Sequence, residues 1–98
     1  MDVELHPAAA DDLDRFDSAV AEQLKNRLRE LENRPTDHHD SDLIQVRGRW
    51  LFRYRMKEEQ GGDIDHRAIY DVHNGTVLVY AVFHRDRGYE KGEIDRRF

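Results

Sequence analysis

The segment TVLVYAVFHRDRGYE, residues 76–90, joins the most apolar run of the chain to an abrupt polar end. Residues 76–84 are almost wholly apolar, and the polar end contains Arg85, Arg87 and Tyr89. Because apolar residues occupy both alternating positions, the run predicts a central strand that is covered on both faces of a sheet. Its end would then place cationic side chains at the rim of that sheet.

Three upstream segments alternate apolar and polar residues with a period of two, as half-buried strands do. Strands are predicted at residues 43–47, 50–57 and 66–73. The acidic, glycine-containing segment EEQGGDID at 58–65 is predicted to be a loop, and Asn74-Gly75 is typical of a hairpin turn into the last strand. The second half of the chain therefore predicts an antiparallel sheet.

The first third of the chain has a helical period instead. After a short predicted strand at residues 3–5, apolar residues recur at spacings of three and four. Capping residue types at Asp17 and Ser18 divide this region into helices at 8–15 and 18–33, although a single long helix would have the same period. The order β-α-α-β-β-β(-β) predicts an α+β domain, with a helical hairpin packed on one face of an antiparallel sheet.

Length and composition limit the classes of function. A chain of 98 residues supports one hydrophobic core, so a single domain over residues 1–98 is expected. The absence of cysteine excludes disulfides, thiolate nucleophiles and cysteine-ligated zinc. No apolar run reaches the ~18 residues of a membrane span, and the start lacks the pattern of a signal peptide, so a soluble cytoplasmic protein is expected.

Charge is distributed unevenly along the chain. The net charge of −5 would by itself disfavour a nucleic-acid partner. Residues 1–46 contain 12 acidic and 5 basic residues, however, whereas residues 47–98 contain 9 acidic and 11 basic residues. Arginine outnumbers lysine 13 to 3, and aspartate outnumbers glutamate 13 to 8. Selection in a salt-adapted cytosol, such as that of a haloarchaeon, would give this composition, and codon bias would give it equally well.

The strand predicted at 50–57 has two different faces. The face expected against the helices carries Trp50, Phe52, Tyr54 and Met56. Arg53, Arg55 and Lys57 lie on the opposite face, and antiparallel pairing would bring Arg67 beside them. Like charges this close repel each other unless an anion lies between them.

Two interpretations of this basic face remain open. In the first, the face is solvated: the basic side chains cover Leu51 and Ile69, and acidic residues neutralise them. The candidates for that neutralisation are Glu58, Glu59, Asp63, Asp65 and Asp71. In the second, the face is a phosphate-binding concavity with Arg85, Arg87 and Tyr89 at its rim.

Three segments in the second half of the chain combine strand patterns with arginine, lysine and tyrosine. They are FRYRMK at 52–57, HRAIYDV at 66–72 and VYAVFHRDRGY at 79–89. With the order of elements, they resemble the RelE/ParE superfamily of toxins from toxin–antitoxin pairs over residues 2–90, and the RelE branch most of all. That branch has a basic row on one strand, an R-x-x-Y strand, and a last strand ending in H/K-R with a tyrosine four or more residues later.

The resemblance implies a RelE-like fold and a ribosome-dependent endonuclease that cuts messenger RNA in the ribosomal A site, without metal or cofactor. In this chemistry a ribose 2′-OH attacks the adjacent phosphorus, which requires a general base, a general acid and cations for the developing charge. By their place in the family pattern, Arg67, Arg85 and Tyr89 are implied to be catalytic. The RNA-binding residues implied are Arg53, Arg55, Lys57 and Arg87. His84 is a candidate for assisting proton transfer, or for a structural hydrogen bond.

Other functions fit part of the pattern. A ParE-like inhibitor of DNA gyrase would catalyse nothing, and would have no need of Arg85 with Tyr89; a decayed toxin would only bind its antitoxin and repress a promoter with it. The resemblance implies a RelB-like antitoxin that folds on binding, covers the helical hairpin and approaches residues 53–57 with acidic side chains. The toxin–antitoxin complex is in turn a candidate for binding operator DNA.

The polar segment at 35–42, predicted to be a loop, contains DHHD at 37–40. The string matches the signature of the DHH phosphoesterases, but those proteins need further aspartate motifs in a much longer chain. Adjacent histidines in a loop converge poorly on one ion, so no metal site is predicted at His38 and His39.

Overall fold

The structure, a computed structural model, describes residues 1–57 and 64–98. In chain order the elements are β1 (Asp2–Leu5), α1 (Pro7–Asp14), α2 (Ser18–Arg29), a 3-10 turn (Glu30–Glu32), β2 (Ser41–Val46), β3 (Arg49–Lys57), β4 (Asp65–His73), β5 (Thr76–His84) and α3 (Lys91–Asp95). Residues 58–63 of the predicted acidic loop lie outside the described residues. Among the described helices, none is both long and apolar enough to cross a membrane.

The α+β class and the helical hairpin are confirmed. Asp17 adopts an extended conformation between the two helices, so a single long helix is excluded. β2 begins at Ser41, two residues earlier than predicted. The reason is that the Arg55 N–H donates to the Asp40 carbonyl at 2.9 Å, which extends the pairing with β3 into the predicted loop.

In the described residues the strands form one five-stranded sheet, in the order β1-β5-β4-β3-β2. Strands β2 to β5 are antiparallel to their neighbours, as predicted. β1 adds a parallel partner to β5, so the apolar last strand lies inside the sheet. Only a long-range contact decides that pairing, because β1 and β5 lie at opposite ends of the chain.

The main core lies between the helices and one face of the sheet. The buried side chains from the helical region are Leu13, Leu24, Leu28 and Leu31, and those from the strands include Tyr54, Met56, Tyr70, Val77 and Val79. The expectation that Trp50 belongs to this core is wrong, since it is 63% exposed. β3 continues past the area that α1 and α2 cover, and Trp50 lies on that uncovered end.

A smaller cluster covers part of the opposite face of the sheet. It consists of Val46, Leu51, Ile69, Ala81, Phe83 and Ile94, with Ile44 and Tyr89 packed against it. Ile94 belongs to α3, the five-residue helix after Tyr89. Leu51 and Ile69 are therefore covered by this apolar cluster, a role that the first interpretation gave to the basic side chains.

A bulge in β5 determines which side chains face each layer. Ile69 is the partner of Ala81, but the next residue, Tyr70, is the partner of Val79, so Tyr80 is an extra residue. Such a bulge reverses the alternation of the strand beyond it. Val79 therefore faces the helices while Phe83, four residues later, faces away from them. The reversal is one reason why apolar residues occupy both alternating positions in residues 76–84.

The edge of β5 beyond the end of β1 is closed by a buried ion pair. Asp12, which is 4% exposed, accepts the Val82 N–H at 3.0 Å and the Arg97 guanidinium at 2.7 Å. Arg97 also donates to the Tyr80 carbonyl at 2.7 Å. These contacts satisfy backbone groups that an open strand edge would expose, and they attach the C-terminal segment to α1.

Candidate functional site

An open groove of about 620 Å³ lies on the sheet face opposite α1 and α2. Its lining residues are Arg53, Arg55, Arg67, Phe83, Arg85, Gly88, Tyr89 and Lys91. Three of the arginines come from neighbouring strands and the fourth follows the end of β5. The groove is therefore strongly cationic, and its shape is suited to an extended anionic ligand.

Strand register brings the first three arginines together. Arg55 and Arg67 are direct partners in the antiparallel pair of β3 and β4, and Arg67 is in turn the partner of Phe83 on β5. Arg53 lies two residues before Arg55, on the same side of its strand. Alternation on β3 and β4 is regular at these positions, so the sequence was sufficient to place this row.

The turn after β5 brings Arg85 and Tyr89 to the same groove. The Arg85 N–H donates to the Asp65 carbonyl at 2.9 Å, which holds the start of the turn against β4. Gly88 closes the turn with a φ of 66°, a conformation that favours glycine. The Tyr89 ring then packs on Phe83, with 5.0 Å between the ring centroids.

Asp42 holds the two arginines of β3. Arg53 Nη2 lies 2.8 Å from Asp42 Oδ2 and Arg53 Nε lies 3.3 Å from Oδ1, which is a two-point contact. Arg55 Nη2 lies 3.2 Å from the same Oδ2. One carboxylate on the edge strand β2 therefore fixes two neighbouring guanidinium groups and cancels half of their charge.

Asp65 holds the other pair of arginines in the same way. Arg67 Nη1 donates to Asp65 Oδ1 at 3.0 Å, and Arg85 Nη1 lies 3.4 Å from Oδ2. Burial works against the charged form of the Asp65 carboxyl, but the hydrogen bond from Arg67 and the charges of Arg85, Arg67 and Lys57 outweigh burial and lower its pKa. Both guanidinium groups therefore converge on one anion.

Three of the residues predicted for the site are not among those lining the groove. Lys57 is the strand partner of Asp65, at the end of the basic row, just beyond the lining. Arg87 and His84 line a separate cavity on the helix side, beside Asp12, Arg15 and Phe16. The expectation that Arg87 stands at the rim of this groove is therefore wrong, because the chain turns away at Asp86 before it returns at Tyr89.

His84 faces the helices because the bulge in β5 reverses the alternation of that strand. Its ring lies edge-on to His66, with 5.0 Å between centroids, and its Nδ1 accepts the Asp86 N–H at 3.1 Å. The structural hydrogen bond that the sequence left as an alternative is thus present. Burial, and then the charge of His84, lower the pKa of the partner His66.

Sequence reasoning missed Asp42, Phe83 and Lys91. Asp42 was assigned to a loop, and the interpretation that foresaw neutralising acids did not include it. Of the acids it did include, Asp65 pairs with the groove arginines, whereas Asp71 accepts the N–H of Val72. Glu58, Glu59 and Asp63 lie outside the described residues. An acid directly opposite Arg53 in a predicted hairpin is the signal that could have identified Asp42.

The ligand atoms of His38, His39 and Asp40 lie within 4.8 Å of one another, so the two adjacent histidines come closer together than expected. Their rings are stacked, however, with 18° between the planes, so the in-plane lone pairs do not converge. His38 Nδ1 also accepts the Asp40 N–H at 3.1 Å, which leaves the proton of the neutral ring on Nε2. The arrangement therefore fits residues that stabilise the loop by stacking and hydrogen bonding better than it fits a metal centre.

Comparisons with known proteins agree with this architecture. A family model described as the ParE toxin of the type II toxin–antitoxin system, parDE, matches residues 3–89. None of the curated proteins matches the chain in sequence.

Solved structures of RelE toxins have the same fold. The RelBE2 toxin–antitoxin complex of Mycobacterium tuberculosis superimposes with a TM-score of 0.69 at 17% identity, covering 86% of this chain and 96% of that one. The isolated RelE toxin of E. coli gives 0.62 at 23% identity, covering 98% and 96%. The intact E. coli RelBE complex gives 0.59 at 24% identity, covering 85% and 94%. By its sequence match and its RelE-like fold, the chain belongs to the ParE toxin family of type II toxin–antitoxin systems, within the RelE/ParE superfamily.

Proposed function

We propose that this toxin is a ribosome-dependent endoribonuclease, which cuts messenger RNA in the A site of cytoplasmic ribosomes without a metal or cofactor. The observation that carries the proposal is the convergence of four arginines and Tyr89 on one open groove. A pure binding protein gains little from holding two guanidinium groups at one point, whereas phosphoryl transfer gains charge stabilisation there.

Asp65 marks the point at which the scissile phosphate would lie. Its two carboxylate oxygens contact Arg67 and Arg85 at 3.0 and 3.4 Å, so both guanidinium groups already point at one anion. A phosphate that replaced the carboxylate in these contacts would meet both cations without rearrangement of the strands. We therefore assign Arg67 and Arg85 to stabilising the phosphorane-like transition state.

Arg53 and Arg55 are assigned to the next phosphate along the strand. Asp42 holds them together as Asp65 holds the first pair, with contacts of 2.8 and 3.2 Å to one oxygen. Lys57, at the end of the same row, is assigned a weaker contact to the RNA backbone. Single-stranded RNA tracking along β3 would thus meet a series of cations at fixed spacing.

Tyr89 is assigned to the nucleotide at the cleavage point. Its ring packs against Phe83 at 5.0 Å and lines the groove, so a base that enters the groove can stack on it. Its hydroxyl is the group in the groove lining that can accept a proton from the ribose 2′-OH when ionised. The 2′-oxygen then bonds to phosphorus while the bond from phosphorus to the 5′-oxygen breaks and that oxygen takes a proton from water, giving a 2′,3′-cyclic phosphate and a 5′-hydroxyl end.

The proposed partner is a RelB-like antitoxin. Two of the solved relatives are toxin–antitoxin complexes, which motivates a similar pairing here. We expect the antitoxin to cover α1 and α2 and to bring acidic side chains to Arg53, Arg55 and Lys57. We also assign operator DNA binding to the complex. A co-crystal structure of this toxin with its antitoxin that leaves both surfaces exposed would reject this arrangement.

The test is cleavage of a defined messenger on programmed ribosomes, at low and at near-saturating potassium chloride. We expect site-specific cuts by the wild type, reduced about 100-fold or more by Arg85→Ala and by Tyr89→Ala. Arg87→Ala is the matched control: it removes an arginine two residues from Arg85, outside the groove lining, and should change the rate by less than about threefold. Equal losses in all three variants would contradict the assignment of the groove.

A second candidate function is inhibition of DNA gyrase. It is favoured by the description of the matching family model, which names the ParE toxin. In that case the wild type would arrest growth and block DNA supercoiling by purified gyrase, and it would leave messenger on ribosomes intact.

A further inference from the structure

We propose that the free edge of β2 is a self-association surface, at which two copies of this chain pair through antiparallel β2 strands about a two-fold axis near Leu43. β2 is the last strand of the sheet, and no described strand pairs with its outer side. The groove lies on a face of the sheet rather than on this edge, so the inference does not depend on the proposed function.

Backbone geometry leaves the outer edge of β2 ready for another strand. The Arg55 N–H donates to the Asp40 carbonyl, and hydrogen-bonded pairs alternate along an antiparallel ladder. Asp42 and Ile44 therefore direct their N–H and C=O groups toward β3, whereas Leu43 and Gln45 direct theirs outward. The segment contains no proline or lysine, the residues with which edge strands commonly block further pairing.

An apolar patch adjoins this edge. Leu43 is 58% exposed and Trp50 is 63% exposed. Both lie on the helix side of the sheet, because Leu43 is the partner of Phe52 and Trp50 is the partner of Gln45. Large apolar side chains clustered at an unpaired edge are typical of an interaction surface.

Antiparallel pairing of β2 with its own copy satisfies both features. With Leu43 opposite the second copy's Leu43, each Leu43 N–H meets a carbonyl and each Gln45 N–H meets the carbonyl of the second copy's Ser41. Ser41 itself needs no donor partner, since its N–H already bonds to the His38 carbonyl at 2.9 Å. The two leucines lie side by side, and the Trp50 residues flank them on the same face.

The charges at the two ends of β2 are complementary in this arrangement. Asp37 precedes the strand and Arg47 follows it, and both are exposed with no ion-pair partner among the described residues. Asp40 and Arg49 lie at the same two ends but are already paired with Arg27 and Asp95. Antiparallel pairing places the acidic start of β2 in one copy beside the basic end of β2 in the other. The two-fold axis repeats this contact at the other end of the paired strands. This self-complementarity is the reason for choosing a second copy over a different partner strand.

The dimer should be weak. One short strand edge and a small apolar patch bury less than the ~800 Å² per partner of a standard stable interface. We therefore expect a monomer–dimer equilibrium at about micromolar concentrations or above.

Sedimentation velocity over a range from about 1 to 500 μM is the test. We expect the wild type to shift from monomer to dimer, and Leu43→Lys to remain monomeric at concentrations where the wild type is mostly dimeric. Ala19→Lys, which adds the same charge at an exposed position of α2, should dimerise like the wild type. A wild type that stays monomeric throughout, or a dimer that Leu43→Lys does not weaken, overturns the proposal.

Amide hydrogen exchange supplies a second readout that does not depend on the variant. Protection of the Leu43 and Gln45 amides should rise with protein concentration, while that of Ile44, already bonded to β3, stays constant. Protection that does not change with protein concentration overturns the proposal. The proposal is also overturned if an added antitoxin strand protects these two amides and a higher concentration of the toxin alone does not.

Discussion

The two faces of the sheet are built from the same strands but differ in what they bury. On β3, Tyr54 and Met56 are fully buried against the helices, while the alternate residues Arg53 and Arg55 line an open groove. On the helix face the Tyr54 hydroxyl is hydrogen-bonded within the chain, whereas the groove face holds cations that two carboxylates only half neutralise. Alternate positions on one strand therefore divide between core packing and the charged groove.

The largest effect is expected where the C-terminal segment is attached to the helix side. Asp12→Ala leaves the Val82 N–H without an acceptor and leaves Arg97 with only the longer 3.4 Å ion pair to Glu93, and should lower the free energy of unfolding by about 3 kcal/mol. Urea denaturation measures this loss. Asp11→Ala, an exposed neighbour, should change it by less than about 0.5 kcal/mol. Equal losses in the two variants would show that the ion pair contributes nothing.

The converse change on the groove face is Arg67→Lys. Lysine keeps the charge opposite Asp65 but lacks the planar guanidinium fork that fits two phosphate oxygens, so cleavage should fall about tenfold or more. The urea midpoint should stay close to that of the wild type. The comparison between the faces fails if this variant loses stability and activity in parallel.

Tyr54→Phe tests the helix face without opening a cavity. The Tyr54 hydroxyl lies 2.8 Å from Glu30 Oε2 and 3.2 Å from the Arg27 carbonyl, and burial, followed by the bond to Glu30, raises the pKa of this phenol. Removing the hydroxyl should lower the free energy of unfolding by about 1–2 kcal/mol. The cleavage rate per folded molecule should be unchanged. A lower rate would show that the hydroxyl on the helix face influences the groove on the opposite face.

The smallest effect is expected from Asp42→Asn, which frees Arg53 and Arg55 from an internal competitor. Single-stranded RNA should bind a few-fold more tightly, and the slope of log affinity against log salt should steepen by up to about one. Fluorescence anisotropy at several salt concentrations measures both. Asp71→Asn, which removes an acid with no ion-pair partner among the described residues, should leave the slope unchanged. Weaker binding by Asp42→Asn would mean that the carboxylate orders the arginines more than it competes with RNA.

Much of the groove followed from the sequence because strand alternation is a local property. Arg53, Arg55 and Arg67 were placed on one face by their spacing, and the superfamily resemblance added Arg85 and Tyr89; all five line the groove. Arg87 was misplaced because the turn after β5 depends on a contact with Asp65 that residue spacing does not show. The face on which His84 lies depends on the bulge at Tyr80, which alternation alone cannot predict.

The sequence by itself determined the α+β class, the helical period of the first third, the five strands and the cationic face of β3, since each depends on periods spanning only a few residues. Tertiary structure decided the parallel pairing of β1 with β5, the bulge at Tyr80 and the cover that α3 gives to the groove face. It also decided which carboxylate holds which arginine. These features depend on contacts between residues far apart in the chain, and only packing of the whole domain selects among the partners available to them.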